Sequence, residues 1–301
     1  MSYPSTREIV LKAWKLGIVV PAYNVPHLPM MEPIVRAIRD AGSFGLVQVA
    51  RLETVKFKAE SFKAIRDLYE KHKDVNHTRL HLDHVPVIDE DGNLIEYEKE
   101  IRECMELGYE SVMVDGSRLS FGENAAATGK IVEAAKKFGV PVEGELGAVI
   151  GHEAGPMPPY EELFASGKGF TAPDEAKDFV KQVGLDWLSV AIGNFHGAVA
   201  PSRKDDKKIE ARLNIEHLKK INAVAGVPLV LHGGSGIQKA YLREAFKNGI
   251  AKINVGTNIR QPYERGAAES VQKGQEAVYA AMLDVIRNEL GIEGTAAKLL
   301  G

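Results

Sequence analysis

The chain has 301 residues, 45% of them hydrophobic and 26% charged, an ordinary globular composition with length enough to bury a sizeable core. A net charge of −3 argues against nucleic acid or an anionic membrane as the main partner. The single cysteine, Cys104, excludes an intramolecular disulfide. With no long apolar run in the opening residues, it makes a cytoplasmic location the expectation.

Along the chain, short apolar runs alternate with segments of helical period. Runs at 18–23, 45–49, 78–83, 111–115, 140–145, 187–192, 227–231 and 251–255 predict strands. They are rich in Val, Ile and Leu without strict alternation, as strands buried on both faces require. Between the fourth and fifth runs, Ile131, Ala134, Ala135 and Phe138 form one helical stripe that Gly139 ends. Asn214 is a good N-cap for the stripe Ile215, Leu218, Ile221 and Ala225, and Gly226 stops it. Leu242, Ala245 and Phe246 repeat the pattern before Gly249. Eight strands alternating with helices predict an α/β protein of the (β/α)8 TIM-barrel class, a single domain over 1–301 with a long C-terminal helix after Arg260. A doubly wound open sheet is the runner-up, but it wants a glycine-rich turn after strand one, where the chain reads PAYNVPHLP. Two long loops, 147–171 and 197–212, leave the carboxyl ends of strands five and six, the catalytic face of a barrel.

Three of the nine histidines, His84, His196 and His232, sit directly after predicted strands. Imidazoles from three strand ends can converge on one divalent cation and leave a position open for substrate; equally, barrel-mouth histidines serve as acid–base or hydrogen-bonding groups. Asp83 precedes His84. It is either a base held ionised beside a cation or the carboxylate that orients a ligand histidine. His81 shares the face of Asp83. HGGSG (232–236) and NVGT (254–257) end strands seven and eight, where barrels often bind phosphate through backbone N–H groups, although a lone GGSG also suits a flexible turn. Glu143 and Glu145 lie on strand five. Glu153, on the loop beyond, is either a mobile acid/base or a solvated loop residue.

Together these segments resemble the class II, metal-dependent fructose-bisphosphate/tagatose-bisphosphate aldolase family. PAYN (21–24), HLDH (81–84), SVMVDGS (111–117), VEGELG (142–147), AIGNFHG (191–197), LHGGSGI (231–237) and KINVGT (252–257) match its order and spacing over nearly the whole chain. The resemblance implies one catalytic Zn²⁺ on His84, His196 and His232, with Glu145 as an alternative ligand and provision for a second divalent or monovalent cation. It implies that Asp83 handles the proton of the C4 hydroxyl and that Glu153 exchanges a proton at the enediolate carbon. Gly197, Gly233, Ser235, Asn254 and Thr257 would cradle the C1 phosphate and the enediolate, and Asn24 would lie near the aldehyde half. The implied reaction is reversible cleavage of a ketose (bis)phosphate, such as fructose 1,6-bisphosphate or tagatose 1,6-bisphosphate, to dihydroxyacetone phosphate and an aldehyde. The implied assembly is a homodimer or homotetramer.

The chain departs from the family pattern on the aldehyde side and the lids. Arg51, Leu52 and Glu53 replace a small serine- or glycine-rich turn after strand two. Arg51 is either an anion clamp or one half of a surface ion pair. VPVIDEDGNLIEY (85–97) reads as an insertion, Val199 and Ala200 stand for Tyr-Lys, IGHEA (150–154) carries Glu153, and Gly256 fills a position often held by Asp or Ala. An acidic or unphosphorylated acceptor aldehyde is therefore expected as a variant of the same chemistry. The competing readings are a metal-dependent sugar-phosphate isomerase or epimerase, which has no use for a base at the C4 hydroxyl, and a silent sugar-phosphate-binding barrel.

Overall fold

Eight parallel strands close into a barrel in chain order, which excludes the open sheet. They are β1 (Val20–Asn24), β2 (Gly45–Val49), β3 (Thr78–Leu82), β4 (Ser111–Met113), β5 (Val142–Leu146), β6 (Trp187–Val190), β7 (Leu229–Leu231) and β8 (Ile250–Val255). The ring closes where β8 pairs with β1, Ala22 lying opposite Asn254. The computed structural model describes residues 3–147, 159–194, 211–234 and 236–301.

Strand side chains alternate between two environments, both buried. Val47, Val49, Leu80, Leu82, Leu188, Val190, Leu229, Leu231, Ile253 and Val255 join the main apolar core that the surrounding helices cover. The alternate positions, Asn24, Gln48, His81, Asp83, Ser111, Glu143, Glu145, His232, Lys252 and Asn254, are buried and polar. The barrel interior is thus apolar only toward its amino end. There Val10 packs with Trp187, Val230 and Ala251, while Ile9 and Ala13 meet Val20, Ala22, Phe44 and Leu46. Those anchors come from the first helix, Thr6–Leu16, begun by a capping box between Ser5 and Glu8 and ended by Gly17 at φ 61°. Burying Ile9 and Val10 contributes roughly 1.5–3 kcal/mol each, so an acidic residue at either would lift this plug from the barrel.

Asn214 caps the helix Ile215–Ala225 as expected, accepting from His217 N at 3.0 Å, and Gly226 takes the left-handed conformation. Phe138 corrects the sequence reading: it is 38% exposed, because the helix Phe121–Lys136 ends two residues earlier and its period no longer carries the ring inward. After β8 come helices Thr257–Ala267 and Val271–Asp284, the latter running on into a π-helical segment, Val285–Leu290. A last helix, Ala296–Leu300, returns to the amino end and packs Ala296 and Leu299 on Ile9 and Phe44. Among the described residues, no helix is long and apolar enough to cross a membrane.

Candidate active site

At the carboxyl end of the barrel, polar side chains from β1, β2, β3, β5, β7 and β8 form one connected network. Asp83, just past β3, is its centre. Its Oδ2 accepts from Asn24 Nδ2 at 3.0 Å and Gln48 Nε2 at 3.2 Å, and its Oδ1 accepts from Asn254 Nδ2 at 2.8 Å. Lys252 fixes the sense of that last bond. An ammonium can only donate, so Asn254 turns its Oδ1 to Lys252 Nζ, at 2.7 Å, and its amide nitrogen to Asp83. Burial alone would raise the Asp83 pKa. Positive charge at His84, Lys252 and His232 outweighs it and holds the carboxyl well below the usual range, so Asp83 is ionised at neutral pH.

Beneath lies Glu143, fully buried on β5. Its Oε2 accepts from Trp187 Nε1 at 2.7 Å and lies 2.9 Å from Lys252 Nζ; its Oε1 is 2.8 Å from His232 Nε2. Indole and ammonium are donors only, so the ring N–H of His232 points to Glu143 and its Nδ1 points the other way, 3.0 Å from Glu145 Oε2. Burial again opposes ionisation of Glu143, and Lys252 and His232 overcome it. His81, bonded to Ser111 Oγ at 2.8 Å, is pushed down to about 3 by burial and by Lys252, and is neutral.

His84 faces the same space. Its Nδ1 lies 3.3 Å from Asp115 Oδ2 and 4.0 Å from Glu145 Oε2, and its ring centroid is 4.4 Å from that of His232. One ligand atom each from Asp83, His84 and His232 falls within 4.8 Å of the others, and so does a second set, His84, Asp115 and Glu145. Burial would lower the His84 pKa, but the carboxylates of Asp83, Asp115 and Glu145 raise it to about 10; Glu143 and Glu145 likewise raise His232 against burial. Two adjacent imidazoles among four carboxylates form a pocket whose electrostatics favour a cation. Nitrogen and oxygen donors of this kind fit a borderline divalent metal.

Around this centre, Gly233 turns the chain after β7 at φ 63°, and Thr257 opens an 11-residue helix after β8 with Gly256 as its cap. Unpaired backbone N–H groups at such a helix start favour an anion. Gly234 is fixed by packing: a Cβ there would lie 2.6 Å from Ile253 Cδ1. Arg51 starts the helix Arg51–Lys56 after β2 and bonds Glu100 Oε1 through Nε at 3.1 Å, the ion-pair alternative of the sequence reading. His196, Gly197, Glu153 and Ser235 lie outside the described residues. The structure therefore brings together Asn24, Asp83, His84, Glu145, His232 and Asn254, with Gly233 and Thr257 on neighbouring strand ends.

Sequence reasoning missed Gln48, Glu53, Asp115 and Lys252. Lys252 had a signal: it is a charge inside an otherwise apolar strand run. Asp115 also had one, as a carboxylate at a strand end like Asp83. Glu53 lay in the turn already singled out, beside Arg51.

A closed parallel barrel with imidazoles and carboxylates gathered at its carboxyl mouth defines the (β/α)8 class, with groups at that face that could hold a metal ion. Residues 4–295 match the family described as fructose-bisphosphate aldolase class-II. A fructose-bisphosphate aldolase of Streptococcus pyogenes serotype M3 is 33% identical over 286 residues, 93% of this chain and 88% of that one. A sulfofructosephosphate aldolase of Alkalicoccus urumqiensis is 28% identical, covering 99% of both chains. The crystal structure of the YdjI aldolase from Escherichia coli K12 superposes with a TM-score of 0.74 at 27% identity, over 97% of this chain and 99% of that one. The chain belongs to the class II fructose-bisphosphate aldolase family, and it is a lyase of the aldolase kind.

Proposed function

We propose that this chain is a Zn²⁺-dependent aldolase that cleaves a ketose carrying a phosphate on C1 to dihydroxyacetone phosphate and an aldehyde. The observation that carries the reading is the Asp83 carboxyl group, held by three amide donors with one of its oxygens within 4.8 Å of a ring nitrogen each of His84 and His232. A base beside the residues that would hold a metal suits removal of the C4 hydroxyl proton, whereas an isomerase needs its base between C1 and C2.

His84 and His232, with Glu145 and the predicted His196, would hold the metal. When bound, it supplies a Lewis acid for the negative charge that C–C cleavage leaves as an enediolate. Asp83 takes the C4 hydroxyl proton as the C3–C4 bond breaks and the aldehyde leaves. Asn24, Gln48 and Asn254 cannot accept that proton through their N–H groups, so they aim the carboxylate without competing with it. Glu143 orients His232 and fixes its tautomer. Gly233 and the helix start at Thr257 receive the phosphate on backbone N–H groups, joined by Gly197 and Ser235. Glu153 returns a proton to the enediolate carbon.

The substrates named for the relatives above differ, so family membership alone leaves the aldehyde half open. The assembly expected is a homodimer or homotetramer in the cytoplasm. The test is metal analysis of purified protein together with aldehyde release from fructose and tagatose 1-phosphates and from the matching 1,6-bisphosphates, with and without chelator. Cleavage that survives complete removal of metal refutes the proposal.

A further inference from the structure

Glu53 does something at this mouth that its place in the helix does not require. It is the third residue of Arg51–Lys56, and its Oε2 turns back to accept from Ala50 N at 2.9 Å, half of a capping box. The same oxygen accepts from Asn24 Nδ2 at 3.3 Å, and that amide nitrogen also donates to Asp83 Oδ2 at 3.0 Å. One amide group therefore bridges Glu53 and Asp83. A capping carboxylate normally sits in water, but Glu53 is only 8% exposed. Among the described residues, its Oε1 has no hydrogen-bond partner.

Among the described residues, the charges around it are already matched. Arg51 bonds Glu100. Arg260 bonds Glu264 through Nη1 at 2.7 Å and lies over the Phe57 ring at 5.3 Å. His27 lies 3.1 Å from Glu264. Gly256 adds no side chain here; a Cβ on it would stand 3.4 Å from Asn24 Oδ1. Burial first, and the charge of Asp83 second, raise the Glu53 pKa to about 8, against the Ala50 and Asn24 bonds and the more distant Arg260. At neutral pH the group is mainly a carboxylic acid, able both to donate and to accept.

The direction of the substrate follows from the proposed function, on which this inference rests. Metal-binding atoms come from the ends of β3, β5 and β7, and Asp83 stands at the carbon whose bond breaks. The carbons that leave as the aldehyde then extend toward β1, β2 and β8, where Asn24, Glu53 and Gly256 meet. A phosphate, sulfonate or carboxylate on that aldehyde would meet Glu53 backed by the Asp83 anion, and among the described residues Arg51 and Arg260 are committed to carboxylates. A hydroxyl would complete the hydrogen bonding of Oε1.

We propose that Glu53 is a specificity-determining residue that reads a hydroxyl of the aldehyde, so that the acceptors of this enzyme are uncharged polyhydroxy aldehydes rather than phosphorylated or otherwise anionic ones.

The test runs in the condensation direction with the metal-loaded protein and dihydroxyacetone phosphate. The acceptors are glyceraldehyde, erythrose, glyceraldehyde 3-phosphate and glyoxylate, and kcat/KM is compared within each protein so that general loss of activity cancels. The wild type is expected to favour glyceraldehyde over its 3-phosphate by at least tenfold. Glu53→Ser is expected to shrink that ratio at least tenfold. Glu53→Gln, which keeps an acceptor for Ala50 and a donor for the hydroxyl, is expected to hold the ratio within threefold. A wild type that prefers glyceraldehyde 3-phosphate or glyoxylate overturns the inference without any variant. So does a ratio in Glu53→Ser that matches wild type, which leaves Glu53 as a helix cap. Metal-dependent exchange of the dihydroxyacetone phosphate C3 proton into D2O needs no acceptor. If exchange is present while the ranking fails, only this inference falls; if exchange and cleavage are both absent, the aldolase reading falls with it.

Discussion

Lys252→Met is expected to destabilise the fold by about 3–5 kcal/mol at neutral pH, because it strips the cation from a buried carboxylate. Lys252 and Glu143 are both fully buried with Nζ 2.9 Å from Oε2. At an effective dielectric constant of about 20 that separation corresponds to a gross attraction of about 6 kcal/mol. The methionine recovers part of this, since it fills similar space and removes the burden of burying the ammonium. Glu143 also keeps its bonds to Trp187 and His232. The deficit depends on pH. Glu143 has a depressed pKa when folded, so it contributes stability that is complete above the unfolded glutamate value, about 4.3, and is lost as pH falls below it. In Lys252→Met that depression is lost, so the gap between variant and wild type widens as pH rises from 4 to 7. Urea denaturation followed through the fluorescence of Trp187, whose indole touches Glu143, reads the effect directly. The double variant Lys252→Met/Glu143→Gln should regain more than half of the loss, since no charge is then left uncompensated. A single-variant cost below 1 kcal/mol, or a double variant no more stable than Lys252→Met, would refute the argument.

Other expectations follow from the same network. Asp83→Ala should lower kcat for cleavage by about 10²–10⁴-fold while metal content is retained, which separates a base from a ligand; kinetics and elemental analysis decide, and loss of metal in step with activity would reassign Asp83. Glu143→Gln should weaken metal binding about 10–100-fold by loosening His232, measured by competition with a chelator of known affinity; an unchanged affinity would deny it that orienting role. Arg51→Ala should cost no more than about 1 kcal/mol and leave the order of acceptor aldehydes as in wild type, because its guanidinium serves Glu100. A reordered acceptor panel would restore Arg51 as an anion clamp.

The strand runs, the helix stop at Gly226 and the cap at Asn214 were legible because backbone periodicity and capping are local properties, written within a few residues. The apolar runs likewise placed Asp83, His84 and His232 at strand ends, and the fold put them at one mouth. Pairing across the barrel was not legible. Glu143 and His232 are 89 residues apart, and Asp83 and Asn254 are 171 apart. Their contacts depend on strand register and on ring closure, which no short window contains. Lys252 shows the same limit: its charge was visible in the β8 run, but its partner was not.

The turn after β2 marks the boundary most clearly. Sequence alone determined that Arg51 and Glu53 break the family pattern there, and Arg51 drew attention as the bulkier charge. Residues two apart on a helix point about 200° apart, so only one of them can face the site. The tertiary structure turned Arg51 out to Glu100 and Glu53 in to Asn24, because the direction in which the helix leaves β2 is set by packing against its neighbours. The order of residues set which groups were available; closure of the barrel decided which of them meet.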